Sequence, residues 1–109
     1  MQKHHRLTKS SDFDFVKKSG RSWSDINLVV VAKRSETGAQ TRFGFVASKR
    51  VGKAVVRNLV KRRMREIARC IEVEPGWDLV FIIRNQGTEA GFKELEGSMK
   101  SLLKKARVL

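Results

Sequence analysis

The stretch from residue 54 to residue 71 predicts one long helix with two different sides, and this limits how the chain can fold. At about 100° per residue, its apolar and its positively charged residues fall on opposite sides. The apolar side consists of Val56, Leu59, Val60, Met64, Ile67 and Ile71. This side must pack against the predicted strands that flank the helix, so the charged side must face outward.

Positive charge is concentrated between Arg42 and Arg69, where ten of 28 residues are Lys or Arg and only Glu66 is acidic. This segment carries +9 of the formal net charge of +13. One row on the helix, with no acid in it, is Arg57, Lys61, Arg65 and Arg69. Like charges four residues apart repel each other, whereas an ordinary solvated face mixes both signs. The pattern therefore indicates a polyanion partner, above all nucleic acid.

The composition predicts one domain over residues 1–109, with a basic, flexible N-terminus at 1–9. Cys70 is the single cysteine, which excludes an internal disulfide and suits a reducing compartment. The N-terminus has no apolar run typical of a secretory signal, and the apolar run 28–32 is too short to cross a membrane. We expect a cytoplasmic protein that does not use a membrane.

Periodicity predicts an α/β (α+β) sandwich with the order α-β-β-α-β-α and a mixed sheet of about four strands. The predicted elements are helix 12–19, strand 26–33, strand 42–48, helix 54–71, strand 77–84 and helix 92–105. The region 25–33 or its neighbour can also form more than one strand, and the pattern leaves this open.

Several residues near the long helix suit contacts with the phosphates or bases of a nucleic acid, although basic charge alone does not separate RNA, DNA and an anionic membrane as partners. Lys49, Arg50 and Lys53 lie just before the helix, whose free N–H groups favour anions. Asn58 is placed within the charged side, where an amide can donate to a phosphate or contact a base.

No catalytic constellation is visible. His4 and His5 are adjacent in the basic N-terminus without a fixed partner, and Cys70 is expected at the edge of the packed side of the helix. Gly52-Lys53 lacks the remaining residues of a Walker A loop. The acidic residues are scattered singly, so the chain does not resemble a two-metal nuclease.

The charged segment also has a specific spacing of residue types. It reads Arg42-x-Gly44-x3-Ser48-Lys49-Arg50-x-Gly52-x-Ala54-Val55-x-Arg57-Asn58-x2-Lys61-Arg62-x2-Arg65-Glu66. This spacing resembles the RNR signature of the bacterial ribonuclease P protein component family. The order of elements is similar to that family over nearly the whole chain.

The resemblance implies a protein subunit without chemistry of its own, so that no residue of this chain is catalytic. It implies a catalytic RNA subunit that uses Mg²⁺ to remove the 5′ leader from precursor tRNA, and no stable protein partner. It also implies a left-handed βαβ crossover, although about 98% of such connections are right-handed. The alternative is a basic RNA-binding protein of the ribosomal type without a role in cleavage.

Two groups of site residues follow from the charge pattern and the resemblance together. The predicted ribozyme contacts are Lys49, Arg50, Lys53, Arg57, Asn58, Lys61, Arg62, Arg65 and Arg69. The resemblance implies a leader-binding cleft at Phe13, Lys17 and Val31. Family members often carry aromatic residues at the positions of Lys17 and Val31, so this cleft is expected to hold the leader more by charge than by stacking. No metal ligands are assigned.

Overall fold

The computed structural model describes residues 5–35 and 40–109, which form a five-stranded sheet with helices on both of its faces. The elements are β1 (His5–Arg6), α1 (Ser10–Ser19), β2 (Arg21–Ser24), β3 (Leu28–Arg34), β4 (Arg42–Val46), α2 (Ala54–Arg69), β5 (Trp77–Ile83) and α3 (Phe92–Lys105). Short 3₁₀ helices occupy Lys49–Val51 and Asn85–Thr88. The predicted α+β fold with a mixed sheet is confirmed.

The sheet has the strand order β1-β4-β5-β3-β2. Strand β4 is parallel to both β1 and β5, whereas β3 is antiparallel to both β5 and β2. Helix α2 thus connects two parallel, neighbouring strands in a βαβ unit. The left-handed course that the resemblance implies for this unit stays a prediction.

Two short strands, β1 and β2, add to the three strands placed by periodicity and bring the sheet to five strands. β2 pairs with β3 along the edge of the sheet, but Arg21–Ser24 is polar and lacks an alternating pattern. The strand predicted from residue 26 begins at Leu28, because the Asp25 carboxylate accepts hydrogen bonds from the Asn27 and Leu28 N–H groups and forms a turn.

The short strand β1 lies within the segment that was predicted to be a flexible terminus. Arg6 pairs with Phe43, and the Leu7 N–H donates to the Phe43 carbonyl at 2.9 Å. Leu7 is only 5% exposed. The backbone of residues 5 and 6 is therefore part of the sheet and Leu7 is part of the core, and the prediction for residues 1–4 lies outside the described residues.

The two faces of the sheet carry different cores. One face packs on α2 and α3 through buried side chains such as Leu28, Leu79 and Phe81. Phe43, Phe45 and Phe81 stack side by side on this face, with ring centroids about 6 Å apart. The opposite face packs on α1 through a smaller cluster of Leu7, Val16, Val31 and Val80. α1 and α2 therefore lie on opposite sides of the sheet.

Arg42 connects α1 to the sheet. Its Nε and Nη2 donate to the two carboxylate oxygens of Asp78, at 2.9 and 2.8 Å. These hydrogen bonds raise the pKa of Arg42 above its usual value. Its Nη1 lies 3.5 Å from the Asp12 carboxylate of α1. One guanidinium thus links β4, β5 and the first turn of α1.

Hydrogen bonds also hold α3 and α2 in place. The buried Asn27 side chain donates to Glu94 and Ser98 of α3, at 3.1 and 3.0 Å. Arg63 of α2 donates to the Ala90 carbonyl just before α3 at 3.5 Å. Within residues 5–35 and 40–109, no helix has the length and apolar character needed to span a membrane.

Candidate nucleic-acid interface

Helix α2 packs on the sheet through a narrower side than its sequence predicts. Val60, Met64, Ile67 and Ala68 are at most 4% exposed. Two residues of the predicted apolar side are not buried, since Val56 is 38% and Leu59 is 40% exposed. Cys70, expected at the packed edge, is exposed where α2 ends. The buried stripe of α2 is centred on Val60 and Met64. Leu59 and Cys70 lie outside this stripe and therefore face solvent.

The residues predicted to bind the ribozyme form one continuous surface, here called the cationic face. All of them lie on α2, on the preceding 3₁₀ helix or in the short link between the two. Six are exposed: Lys49, Arg50, Lys53, Asn58, Arg62 and Arg69. The remaining three, Arg57, Lys61 and Arg65, are partly buried along the edge of the packed side. Their binding to RNA stays a prediction.

Most of the charge on the cationic face has no partner of opposite sign among the residues that the structure describes. Arg69 is an exception that the sequence analysis missed, because its Nη1 lies 3.0 Å from the Glu66 carboxylate one turn earlier. Within the part of the chain that the structure describes, Arg57, Lys61, Arg62 and Arg65 form no ion pair. These four positive charges repel each other until an anion binds.

Arg57 has a further unsatisfied donor. Its Nε is buried and has no hydrogen-bond acceptor among the described residues. A buried donor without an acceptor is unfavourable. A phosphate group is an acceptor that matches the planar guanidinium.

The start of α2 adds main-chain donors to this surface. Gly52 has φ of 149°, a conformation that side-chain-bearing residues rarely adopt, and it joins the 3₁₀ helix to α2. Lys53 precedes the first turn of α2, and no side chain caps that turn. The first N–H groups of α2 are therefore available beside Lys49, Arg50 and Lys53, an arrangement that favours anions.

A second candidate surface lies where β4 ends, between α1 and α2. Its centre is Phe13, whose ring rests directly on Gly44: a Cβ built at Gly44 would come within 2.5 Å of the ring. Beside the ring is a cleft of about 280 Å³, here called the β4-edge cleft. It is lined by Ser10, Phe13, Asp14, Phe45, Val46, Ala47 and Lys61. Lys61 thus belongs to the cationic face and also lines this cleft.

The structure places the other two predicted cleft residues differently. Lys17 is exposed and lies one turn after Phe13 on the same side of α1. Val31 is only 6% exposed and belongs to the buried cluster beneath α1. The leader-binding roles of all three residues stay predictions, and any contribution of Val31 acts through packing beneath α1.

Next to α1, the sheet has a row of partly buried residues that were not predicted as site residues. Val31, Val80 and Gly44 are neighbours across three strands, and α1 covers this row. The next row, formed by Val29, Ile82 and Val46, lies on the same face and is only partly buried. Alternation along β3 predicts that Val29 and Val31 lie on the same face of the sheet. Only the position of α1 shows that the row of Val31 is covered and the row of Val29 is partly exposed.

Metal ligands are not evident in the described part of the chain. No group of three His, Cys, Asp or Glu side chains there is arranged to hold a metal ion. His4 and the side chain of His5 lie outside the described residues.

Known proteins resemble this chain in both sequence and structure. The family model for ribonuclease P matches residues 1–107. The ribonuclease P protein component of Clostridium novyi (strain NT) is 38% identical, with 97% of this chain and 96% of the relative covered. That of Clostridium kluyveri is 40% identical, with 94% of both chains covered.

Solved structures give the same answer. The RNase P protein of Staphylococcus aureus matches with a TM-score of 0.85 at 29% identity, covering 97% of this chain and 98% of the other. The RNase P protein from Thermotoga maritima matches with a TM-score of 0.83 at 30% identity, covering 94% and 97%. These matches favour the ribonuclease P interpretation over a basic protein of the ribosomal type.

The contact between Phe13 and Gly44 leads to a stability prediction. Replacing Gly44 with Ala should force the Phe13 ring and α1 away from β4, because the added Cβ overlaps the ring. We expect the free energy of unfolding, measured by urea denaturation, to fall by about 1–3 kcal/mol.

Gly97 of α3 provides the matched control, since a Cβ built there meets nothing within 4 Å. Gly97→Ala should raise the free energy of unfolding by about 0.5–1 kcal/mol, because alanine is favoured within a helix. Equal effects of the two substitutions would show that the Phe13 ring does not rest on β4 in solution.

Proposed function

This chain belongs to the ribonuclease P protein family, and on that premise we propose that it binds a catalytic RNA subunit and the 5′ leader of precursor tRNA. In this proposal the RNA subunit carries out cleavage of the leader. The protein contributes binding surfaces and no catalytic residue. It thereby supports formation of the mature 5′ end of tRNA, and we place this activity in the cytoplasm.

The observation that carries the proposal is the unpaired charge of the cationic face. Arg57, Lys61, Arg62 and Arg65 lie along one helix without an acidic partner in the described residues. The other side of the same helix is buried against the sheet, so this surface stays open to a large partner. A folded RNA presents phosphates at high density, and it offsets the repulsion among these charges.

Leader binding is supported by the β4-edge cleft and the residues beside it. Phe13 offers a partly exposed ring, and aromatic rings stack on any base. Lys61 and Lys17 add positive charge near the ring, and neither forms an ion pair in the described parts of the chain. We propose that this combination holds single-stranded RNA without strong sequence preference.

The proposed reaction uses Mg²⁺, and the described residues do not suit such an ion, because they contain no cluster of three candidate ligands. We therefore assign magnesium to RNA ligands and derive no step that requires a metal on this chain.

The central test is multiple-turnover cleavage of a leader-bearing tRNA by the RNA subunit at low magnesium, with and without this protein. We expect the protein to accelerate cleavage and, without RNA, to cut nothing. No acceleration would contradict the proposal. Cleavage by the RNA-free protein would instead identify a stand-alone nuclease.

Substitutions on the cationic face should weaken binding of the RNA subunit in a salt-dependent way. Arg57→Ala and Arg65→Ala should each lower the slope of log affinity against log salt by about one unit, because each removes roughly one phosphate contact. Lys18→Ala is the charge-matched control, since Lys18 is exposed on α1 at the opposite side of the sheet. Slopes that match this control would exclude the two arginines from the interface.

Phe13 should matter only when a leader is present. Phe13→Ala should weaken binding of leader-bearing tRNA by about 1–3 kcal/mol, because a stacked base loses its aromatic partner. Binding of leaderless tRNA should be unchanged. Phe15→Ala is the control: Phe15 is 52% exposed on the same helix, and its ring lies 4.9 Å from the Lys33 Nζ, away from the cleft. An equal loss for both tRNAs would indicate a folding defect instead.

A further inference from the structure

The outer edge of β4 is covered for only part of its length. β1 has two residues, and they pair with Arg42 and Phe43 at the beginning of β4. Leu7 follows and still lies beside Gly44, and α1 begins at Ser10. Among residues 5–35 and 40–109, no strand pairs with this edge from Gly44 onward.

The bonds at the beginning of β4 show which main-chain groups point to the open edge. The Phe43 carbonyl accepts a hydrogen bond from the Leu7 N–H, so the main-chain N–H and C=O of Phe43 point away from β5 and toward β1. Main-chain groups of alternate residues point to the same edge of a strand. The N–H and C=O of Phe45 therefore also point outward, whereas those of Gly44 and Val46 point toward β5.

This open edge forms one wall of the β4-edge cleft, which is lined by Phe45, Val46 and Ala47. The other walls carry Phe13 and Asp14 from α1 and Lys61 from α2. The cleft thus combines an aromatic ring, a cation, an anion and one main-chain donor–acceptor pair. Asp14 repels a phosphate on the α1 side, whereas Lys61 attracts one on the α2 side.

We propose that the Phe45 N–H and C=O form a hydrogen-bonding subsite for one nucleobase of single-stranded RNA. The base packs against Phe13 and bonds to the edge of β4, and its phosphate lies near Lys61. The inference rests on the proposed function, and it assigns one specific main-chain contact to the binding of single-stranded RNA. Bases carry both donors and acceptors on their Watson–Crick edges, so one N–H and one C=O can serve bases of different identity.

A nucleotide fits this edge better than an added β-strand does. Beyond β1 the free length is short, because β4 ends at Val46 and the 3₁₀ helix begins at Lys49. A strand adds affinity through several consecutive main-chain bonds, which so short an edge does not offer. The Lys61 ammonium, which forms no ion pair with any described residue, also favours an anionic ligand over a neutral peptide.

Amide hydrogen exchange measured by NMR on the full chain tests the subsite directly. The probe is a short single-stranded oligoribonucleotide. In the free protein the Phe45 amide should exchange rapidly, and added oligoribonucleotide should slow it at least about tenfold. Gly44 and Val46 are internal controls, since their amides already bond to β5 and should be protected in both states.

Two variants test the same contacts through affinity. Replacing Phe45 with phenyllactic acid deletes its N–H but keeps the side chain, and should weaken oligoribonucleotide binding about fivefold. Lys61→Gln should weaken binding and reduce its salt dependence, whereas Lys93→Gln, an exposed change on α3, should not.

The outcomes distinguish this inference from the proposed function. If the oligoribonucleotide shifts the Phe13 ring signals but leaves Phe45 exchange unchanged, the subsite is wrong and leader binding stands. If the oligoribonucleotide does not bind and the protein does not accelerate cleavage, both fail. If Phe45 becomes protected as the protein concentration rises without RNA, the edge pairs with a second copy of the chain and the nucleobase assignment is wrong.

Discussion

Burial of one side of α2 against the sheet is the interaction on which the rest of the structure depends. Val60, Met64 and Ile67 are almost completely buried there, and their transfer from water stabilises a helix whose opposite side is self-repulsive. The same packing fixes the direction of the cationic face. Because α1 packs on the other face of the sheet, the end of β4 lies between the two helices, and the β4-edge cleft forms there.

Long, strongly periodic elements could be predicted from the sequence, and short polar ones could not. Helix α3 has the predicted bounds, and β5 and α2 end within one and two residues of the predicted ends. β1 and β2 escaped prediction because their pairing with longer neighbours, rather than an apolar pattern of their own, makes them strands. The exposure of Leu59 was missed because a helical wheel gives angular positions but not the width of the surface that the sheet covers.

The candidate site was predictable where it lies on a single element. The charge pattern alone placed Arg57, Lys61 and Arg65 on one side of one helix, and the structure keeps them there. The cleft combines residues from α1, β4 and α2, so its walls depend on tertiary packing that periodicity does not describe. Val31 was assigned to the cleft by the family resemblance alone, and tertiary packing decides that α1 covers Val31 and leaves Val29 only partly buried.

The position of Lys61 on both surfaces has a consequence for how two RNA molecules affect each other. In the proposed arrangement, a single ammonium group lies between the ribozyme strand and the leader strand. A phosphate that approaches from one side lowers the local potential felt by a phosphate on the other side. The proposed arrangement therefore couples catalyst and substrate through shared electrostatics, without a hinge or any other moving part in the protein.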